Sequence, residues 1–75
     1  MTPSQITVDA RNMTCPMPLL KLKQALNQID KGDTVFLMAT DPSSKRDFFS
    51  FAKMVNHTID LQENNHEFHY YVTKG

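Results

Sequence analysis

Residues 5–40, QITVDARNMTCPMPLLKLKQALNQIDKGDTVFLMAT, contain the pattern that decides the fold. Gln5 to Ala10 alternates polar and apolar residues, which is the period of a half-buried strand. A helix is predicted from about Pro16 to Ile29, where apolar residues recur at spacings of three and four. Thr34 to Thr40 is rich in β-branched and aromatic residues, which favour a second strand. A strand, a crossover helix and a second strand form a right-handed unit with parallel strands.

A second helix is predicted after this unit. Asp41-Pro42-Ser43-Ser44 interrupts the second strand, and a serine at position 43 or 44 is suited to cap a helix with Asp47 in its first turn. The residues expected on the buried face of this helix are Phe48, Phe51, Ala52 and Val55. Lys31-Gly32 is expected to end the first helix and Asn56 the second, because glycine and asparagine accept the left-handed conformation.

Two strands are predicted after the second helix, Thr58 to Glu63 and Glu67 to Thr73. Asn64-Asn65 between them is suited to a tight hairpin, because asparagine tolerates positive φ. The predicted fold class is therefore α/β (α+β), a two-layer sandwich of order β-α-β-α-β-β, with a four-stranded mixed sheet and two helices on one face. The residues expected on the other sheet face are Thr7, Phe36, Met38, His69 and Tyr71.

Length and charge restrict the classes of protein that this chain can represent. With 75 residues, it is expected to form one domain over residues 1–75. Eight basic and eight acidic side chains give a formal net charge of zero, which argues against strong direct binding to nucleic acid. No stretch approaches the roughly 20 apolar residues that span a membrane, and Met1 to Ile6 lacks the features of a signal peptide. We therefore expect a cytoplasmic protein that does not bind membranes.

Cys15 is the only cysteine and lies directly before the first predicted helix. It cannot form an internal disulfide, and a thiol at a helix start is expected to ionise because the free N–H groups and the helix dipole favour negative charge. Pro16 is preorganised for a helix start, and Pro18 stiffens the same segment. The pattern predicts an exposed, reactive thiol with a lowered pKa. The alternative is a small buried hydrophobic residue.

Charged residues near Cys15 are candidates to tune its reactivity. The two parallel strands end at one sheet edge, so Arg11, Lys45 and Arg46 are expected there and could stabilise a thiolate. Asp41 would oppose the thiolate, and we expect it to cap the second helix instead of approaching the sulfur. Asp9 can have a purely structural role, in which its carboxylate accepts hydrogen bonds from loop N–H groups, as loop aspartates usually do.

Lys21 and Lys23 follow the cysteine on the first predicted helix. They either form a solvated helix face or contact an acidic partner surface near the thiol.

The spacing of the three histidines predicts neither a metal site nor a histidine paired with Cys15. His66 and His69 flank a hairpin and a strand, where a spacing of three places side chains on opposite faces. His57 adds no converging ligand, so no metal site is predicted. Nothing in the sequence places a histidine beside Cys15, as a Cys–His nucleophile would require.

The stretch DARNMTCPMP, residues 9–18, resembles the signature of the TusA (SirA-like) sulfur-carrier family. That signature is an aspartate, two variable residues, a glycine, a hydrophobic residue, a variable residue and Cys-Pro-x-Pro. The resemblance continues through residues 39–47 and covers the chain from about Ile6 to Lys74. The residues that carry the motif are Asp9, Asn12, Cys15, Pro16, Pro18, Asp41 and Pro42. Asn12 stands where the family usually has glycine, and asparagine is the next best residue for a left-handed turn.

The resemblance implies a sulfur carrier. A cysteine desulfurase or similar donor would pass sulfane sulfur to Cys15, which would hold it as a persulfide and relay it to an acceptor protein. In one branch of the family the final acceptor is a tRNA wobble uridine, and other relatives serve other sulfur or selenium pathways. Such a protein is a sulfurtransferase only in the carrier sense, and the resemblance implies no bound cofactor.

A second hypothesis is a non-catalytic interaction or redox-regulatory module of the same fold. In that case the open sheet face would bind a partner through residues such as Phe36 and Tyr71, and the thiol would show an ordinary pKa.

Overall fold

The computed structural model describes residues 5–75, with six elements in the predicted order. These elements are β1 (Gln5–Ala10), α1 (Met17–Leu26), β2 (Thr34–Ala39), α2 (Ser44–Val55), β3 (Thr58–Asn64) and β4 (Glu67–Thr73). The prediction that the segment from Met1 to Ile6 lacks a signal peptide concerns mostly residues 1–4, which lie outside the described residues.

The four strands form one mixed sheet in the order β1-β2-β4-β3. β1 and β2 are parallel, with Gln5 opposite Thr34 and Ala10 opposite Ala39, and both pairs that involve β4 are antiparallel. α1 packs on β1 and β2, while α2 packs on β3 and against α1. The predicted fold class is confirmed, because the alternating strand residues and the helix stripes bury one shared core.

The core lies between the helices and the inner face of the sheet. Leu22 and Phe48 are fully buried from the helix side, and Leu37, Tyr70 and Val72 are fully buried from the sheet side. Burial of apolar area at this interface supplies the main favourable free energy of folding. Val55, which was predicted on the buried face of α2, is instead 40% exposed at the last residue of that helix.

α1 ends at Leu26, earlier than the prediction of a helix that extends to Ile29 and ends at Lys31-Gly32. The N–H groups of Gln28 and Ile29 bond three residues back, so the chain tightens into turns after Leu26. Lys74 Nζ donates to the carbonyls of Leu26 and Ile29 at 2.8 and 2.9 Å, satisfying acceptors that helix continuation would have used. Gly32 does have the expected positive φ, of 92°, but in the turn before β2.

The β3–β4 hairpin turns one residue later than predicted. Asn64 pairs with Glu67, so the two-residue turn is Asn65-His66, with φ of 47° and 69°. Two successive positive φ values match the right-handed twist of the flanking strands. The predicted left-handed end of α2 is confirmed at Asn56, whose φ is 58°.

The sheet face opposite the helices carries a cluster of three rings. The Phe36 ring lies 4.8 Å from that of Tyr71 and 5.6 Å, edge to face, from that of His69. All three side chains are half-buried, because they cover one another across β2 and β4.

Among the helices of residues 5–75, neither is long and apolar enough to cross a membrane.

Candidate functional site

The loops that leave β1 and β2 meet at one edge of the sheet, as the parallel topology predicts. Asn12 has a φ of 65°, the left-handed conformation expected where the family has glycine. In this conformation the Asn12 N–H donates to Thr40 Oγ1 at 2.9 Å. This hydrogen bond joins the loop before Cys15 to the residue that follows β2.

Cys15 is exposed and lies at the entrance to α1. Its N–H donates to Asp41 Oδ2 at 2.8 Å, so a residue 26 positions later fixes the backbone that presents the sulfur. Asp41 also accepts the Ser43 N–H at 3.1 Å and the Ser43 hydroxyl at 2.8 Å. These three hydrogen bonds hold the pKa of Asp41 below its ordinary value.

Asp41 lies just before α2, but the prediction that it caps this helix instead of approaching the sulfur is wrong, because its carboxylate binds the Cys15 N–H and makes no capping bond to α2. Ser43 is the N-cap residue of α2, yet its hydroxyl makes no capping bond to the helix. The Ser43 hydroxyl donates to the Asp41 carboxylate instead. The predicted position of the N-cap is therefore correct, but the serine side chain does not make the capping hydrogen bond.

The Cys15 thiol donates a hydrogen bond to a carboxylate of α2. Sγ lies 3.0 Å from Asp47 Oδ2, and this bond is the largest cause of a raised Cys15 pKa, followed by partial desolvation and the charges of Asp47 and Asp41. The Ser43 hydroxyl acts in the opposite direction. The expected lowering of the thiol pKa is therefore wrong for the chain in this structure.

Asp47 is the main cause of the raised Cys15 pKa, and the helix start does little to oppose it. Pro16 and Pro18 have no N–H, and the N–H of Met17 already donates to the Thr14 carbonyl at 2.9 Å. The first turn of α1 therefore offers few free donors to a thiolate, although free donors are what makes a helix start favour negative charge. The same prolines that preorganise the helix entry thus leave fewer N–H groups to favour a thiolate.

Two of the three cations predicted near the sulfur, Arg11 and Lys45, bind other carboxylates. Arg11 donates to Asp9 through Nε and Nη2, both at 2.9 Å, and its Nη1 lies 3.8 Å from Glu67 Oε2. The guanidinium hydrogen bonds lower the pKa of Asp9 to about 2. Lys45 Nζ lies 3.2 Å from Glu63 Oε1, on the side of α2 that faces β3. In this structure Arg11 thus pairs with Asp9 and Glu67, and Lys45 pairs with Glu63.

The remaining candidate residues occupy distinct positions around the thiol. Pro18 is buried, whereas Pro16 and Pro42 are exposed. On α1, Lys23 Nζ lies 5.3 Å from the centre of the Phe51 ring of α2, and Lys21 is half-buried. Arg46 is exposed on α2.

Sequence reasoning missed the role of Asp47, although it placed this residue in the first turn of α2. The signal was present in the topology: a helix that follows a parallel strand begins at the edge where that strand ends. The start of α2 therefore faces the same edge as the Cys15 loop. Thr40, which fixes the Asn12 backbone, was missed for the same reason.

Within residues 5–75, no group of three or more histidine, cysteine, aspartate or glutamate side chains is arranged to hold a metal ion. His57 instead accepts the Gly75 N–H, and His69 bonds Glu67.

Comparison with known proteins identifies the family and the fold. The family described as Sulfurtransferase TusA matches residues 6–74. Sulfur carrier protein TusA of Allochromatium vinosum is 37% identical over 69 residues, which cover 91% of this chain and 91% of that protein. The crystal structure of a SirA-like protein from Desulfitobacterium hafniense shares the fold, with a TM-score of 0.83 at 22% identity over 93% of this chain and 97% of its own. The chain belongs to the TusA family of sulfur carriers.

Proposed function

We propose that Cys15 is the residue that carries sulfur, as a persulfide on Sγ. The observation that supports this most directly is an exposed thiol whose backbone is fixed from a neighbouring loop, through the 2.8 Å bond from its N–H to Asp41. An exposed thiol can reach a sulfur atom in another protein, and a fixed backbone keeps it in one position. Both are needed for exchange between two proteins.

The loading step is an exchange at sulfur. The Cys15 thiolate attacks the outer sulfur of the donor's persulfide, the donor's S–S bond breaks, and the donor's cysteine leaves as a thiolate. The proton lost by Cys15 is transferred to that leaving thiolate, directly or through water. One S–S bond replaces another, so no external oxidant or reductant is needed.

The proposed partners are a cysteine desulfurase, or a similar persulfide donor, and a downstream acceptor protein. The acceptor is a thiol protein, for example one that serves tRNA 2-thiouridine synthesis. The carrier itself is not proposed to contact the tRNA, because a net charge of zero gives little electrostatic attraction to phosphates. We place it in the cytoplasm, where an exposed free thiol stays reduced.

Asp9, Arg11 and Asn12 are proposed to shape the loop that presents the thiol, and Asp41 to fix its backbone. Pro16 and Pro42 are proposed to stiffen the same two loops, and Pro18 the first turn of α1. Lys21, Lys23 and Arg46 are proposed partner contacts, because these cations lie on the two helices whose starts flank Cys15.

The test is to incubate the protein with a cysteine desulfurase and cysteine, and then to measure the intact mass without reductant. We expect the added mass of one sulfur atom, its removal by dithiothreitol, and no adduct on Cys15→Ser, which should remain folded because residue 15 is exposed. A sulfur adduct of equal yield on Cys15→Ser would refute the proposal. So would an unmodified but fully alkylatable Cys15 after exposure to several desulfurases.

A further inference from the structure

Two carboxylates contact Cys15, one at its thiol and one at its backbone N–H. Asp47 Oδ2 accepts a hydrogen bond from the Cys15 thiol, with 3.0 Å between Sγ and Oδ2. Asp41 Oδ2 accepts the backbone N–H of Cys15, with 2.8 Å between N and Oδ2. Arg11 and Lys45, two of the three cations expected here, are bound to other carboxylates, and the third, Arg46, is exposed on α2. The nearby Ser43 hydroxyl donates to Asp41, and its effect in favour of the Cys15 thiolate is smaller than the opposing effect of Asp47.

This arrangement distinguishes between the two forms that a sulfur carrier must adopt. The empty carrier has a neutral thiol with a hydrogen to donate. The loaded carrier has no hydrogen on Sγ, and its outer sulfur carries negative charge when the persulfide ionises. A carboxylate in hydrogen-bonding distance of Sγ stabilises the first form and repels the second.

We propose that Asp47 stabilises the empty thiol form of Cys15 and thereby favours release of sulfur from the carrier. The proposal rests on the function proposed above, and it deepens it by giving the transfer a direction. It also implies that a donor must break the hydrogen bond between Cys15 and Asp47 during loading, because only the thiolate attacks a persulfide.

The unloading step balances as follows. A thiol of the acceptor loses its proton and attacks the outer sulfur of the Cys15 persulfide, whose S–S bond breaks. The electron pair of that bond stays on Sγ of Cys15, which takes up the proton that the acceptor lost. The acceptor now carries the persulfide, no net oxidation has occurred, and the restored thiol again donates to Asp47.

The test compares the wild type with Asp47→Asn, which keeps the shape of the side chain and removes its charge. Asp60→Asn, on the exposed surface of β3, is the matched control. The first readout is the pH dependence of alkylation of Cys15 by iodoacetamide. We expect its midpoint to fall in Asp47→Asn, because the carboxylate that stabilises the thiol is removed, and to stay unchanged in Asp60→Asn.

The second readout is the equilibrium with glutathione persulfide and glutathione, measured as the ratio of loaded to empty carrier by intact mass. We expect this ratio to rise about threefold in Asp47→Asn, less than the thiolate fraction rises, because the persulfide charge lies one S–S bond further from residue 47. Asp47→Ala serves as a second variant, and circular dichroism verifies that each protein is folded.

The outcomes separate the two proposals. If the wild type loads from glutathione persulfide, but the alkylation midpoint and the loaded ratio are the same in Asp47→Asn, the inference about Asp47 is overturned and the carrier function stands. If wild-type Cys15 reacts with iodoacetamide but takes up no sulfur from any persulfide, the carrier function is overturned, and the inference falls with it.

Discussion

Ser44 and Tyr70 form a buried hydrogen bond that joins the first turn of α2 to the middle of β4. The two hydroxyl oxygens lie 2.7 Å apart, and the residues are 2% and 0% exposed. Burial raises the pKa of Tyr70, so its hydroxyl stays protonated and available as a donor. Because Asp47 lies one turn further along α2, this bond helps to fix the helix start that faces Cys15.

We predict that Ser44→Ala lowers the free energy of unfolding by about 1–3 kcal/mol, since it leaves the buried Tyr70 hydroxyl without a partner. The higher helix propensity of alanine offsets at most about 0.5 kcal/mol of this loss. Each kcal/mol lowers Tm by roughly 4–8 °C for a chain of this size. Tyr70→Phe should be milder, because the ring keeps its packing against Phe48 at 4.4 Å between centroids.

The double variant Ser44→Ala/Tyr70→Phe removes both polar groups, so it should lose less stability than the sum of the single variants, by about 1 kcal/mol or more. Urea unfolding of the four proteins gives this coupling free energy. Tyr71→Phe, which removes the same atom on the open sheet face, should change stability by less than about 0.5 kcal/mol. Additive single variants, within about 0.3–0.5 kcal/mol, would show that the hydrogen bond does not stabilise the fold as argued.

Two further predictions concern the loop before Cys15. The Asp9 carboxyl should titrate with a pKa of about 2 and return toward 3.8 in Arg11→Gln. Since folding lowers this pKa, the carboxylate stabilises the fold above about pH 4, and that contribution is lost as pH falls from about 4 to about 2. Side-chain carboxyl NMR checks this, and equal midpoints in both proteins would contradict it. Asn12→Ala should lower the free energy of unfolding by about 1 kcal/mol relative to Asn12→Gly, because alanine disfavours a φ of 65°. Equal urea midpoints would count against the argument.

The fold was predictable from the sequence because apolar residues recur with a regular period along each strand and helix. The alternation in Gln5–Ala10 and Glu67–Thr73 and the three-and-four spacing after Pro18 each specify which face is buried, and a parallel pair with one crossover helix leaves few topologies. The end of α1 was not predictable in this way. It depends on Lys74, which is 48 residues from the carbonyl of Leu26 that it binds.

The site was predictable only in its location. The meeting of two loops beside Cys15 follows from parallel strands that end at one sheet edge. The packing of α1 against α2 determines which carboxylate accepts the hydrogen bond from the Cys15 thiol. No local pattern in the sequence predicts that packing. The raised thiol pKa follows mainly from Asp47, a contact between residues 32 positions apart that the sequence does not show.

The central claim, that Cys15 receives sulfur and passes it on, is tested most directly by following one labelled sulfur atom. The carrier is loaded by a desulfurase with cysteine that contains heavy-isotope sulfur, separated from the donor, and mixed with an excess of a thiol acceptor such as glutathione. Peptide mass spectrometry should place the label first on Cys15 and then, at the same rate as it leaves Cys15, on the acceptor. Label on any other residue, or label that reaches the acceptor equally well after Cys15 has been alkylated, would contradict the claim.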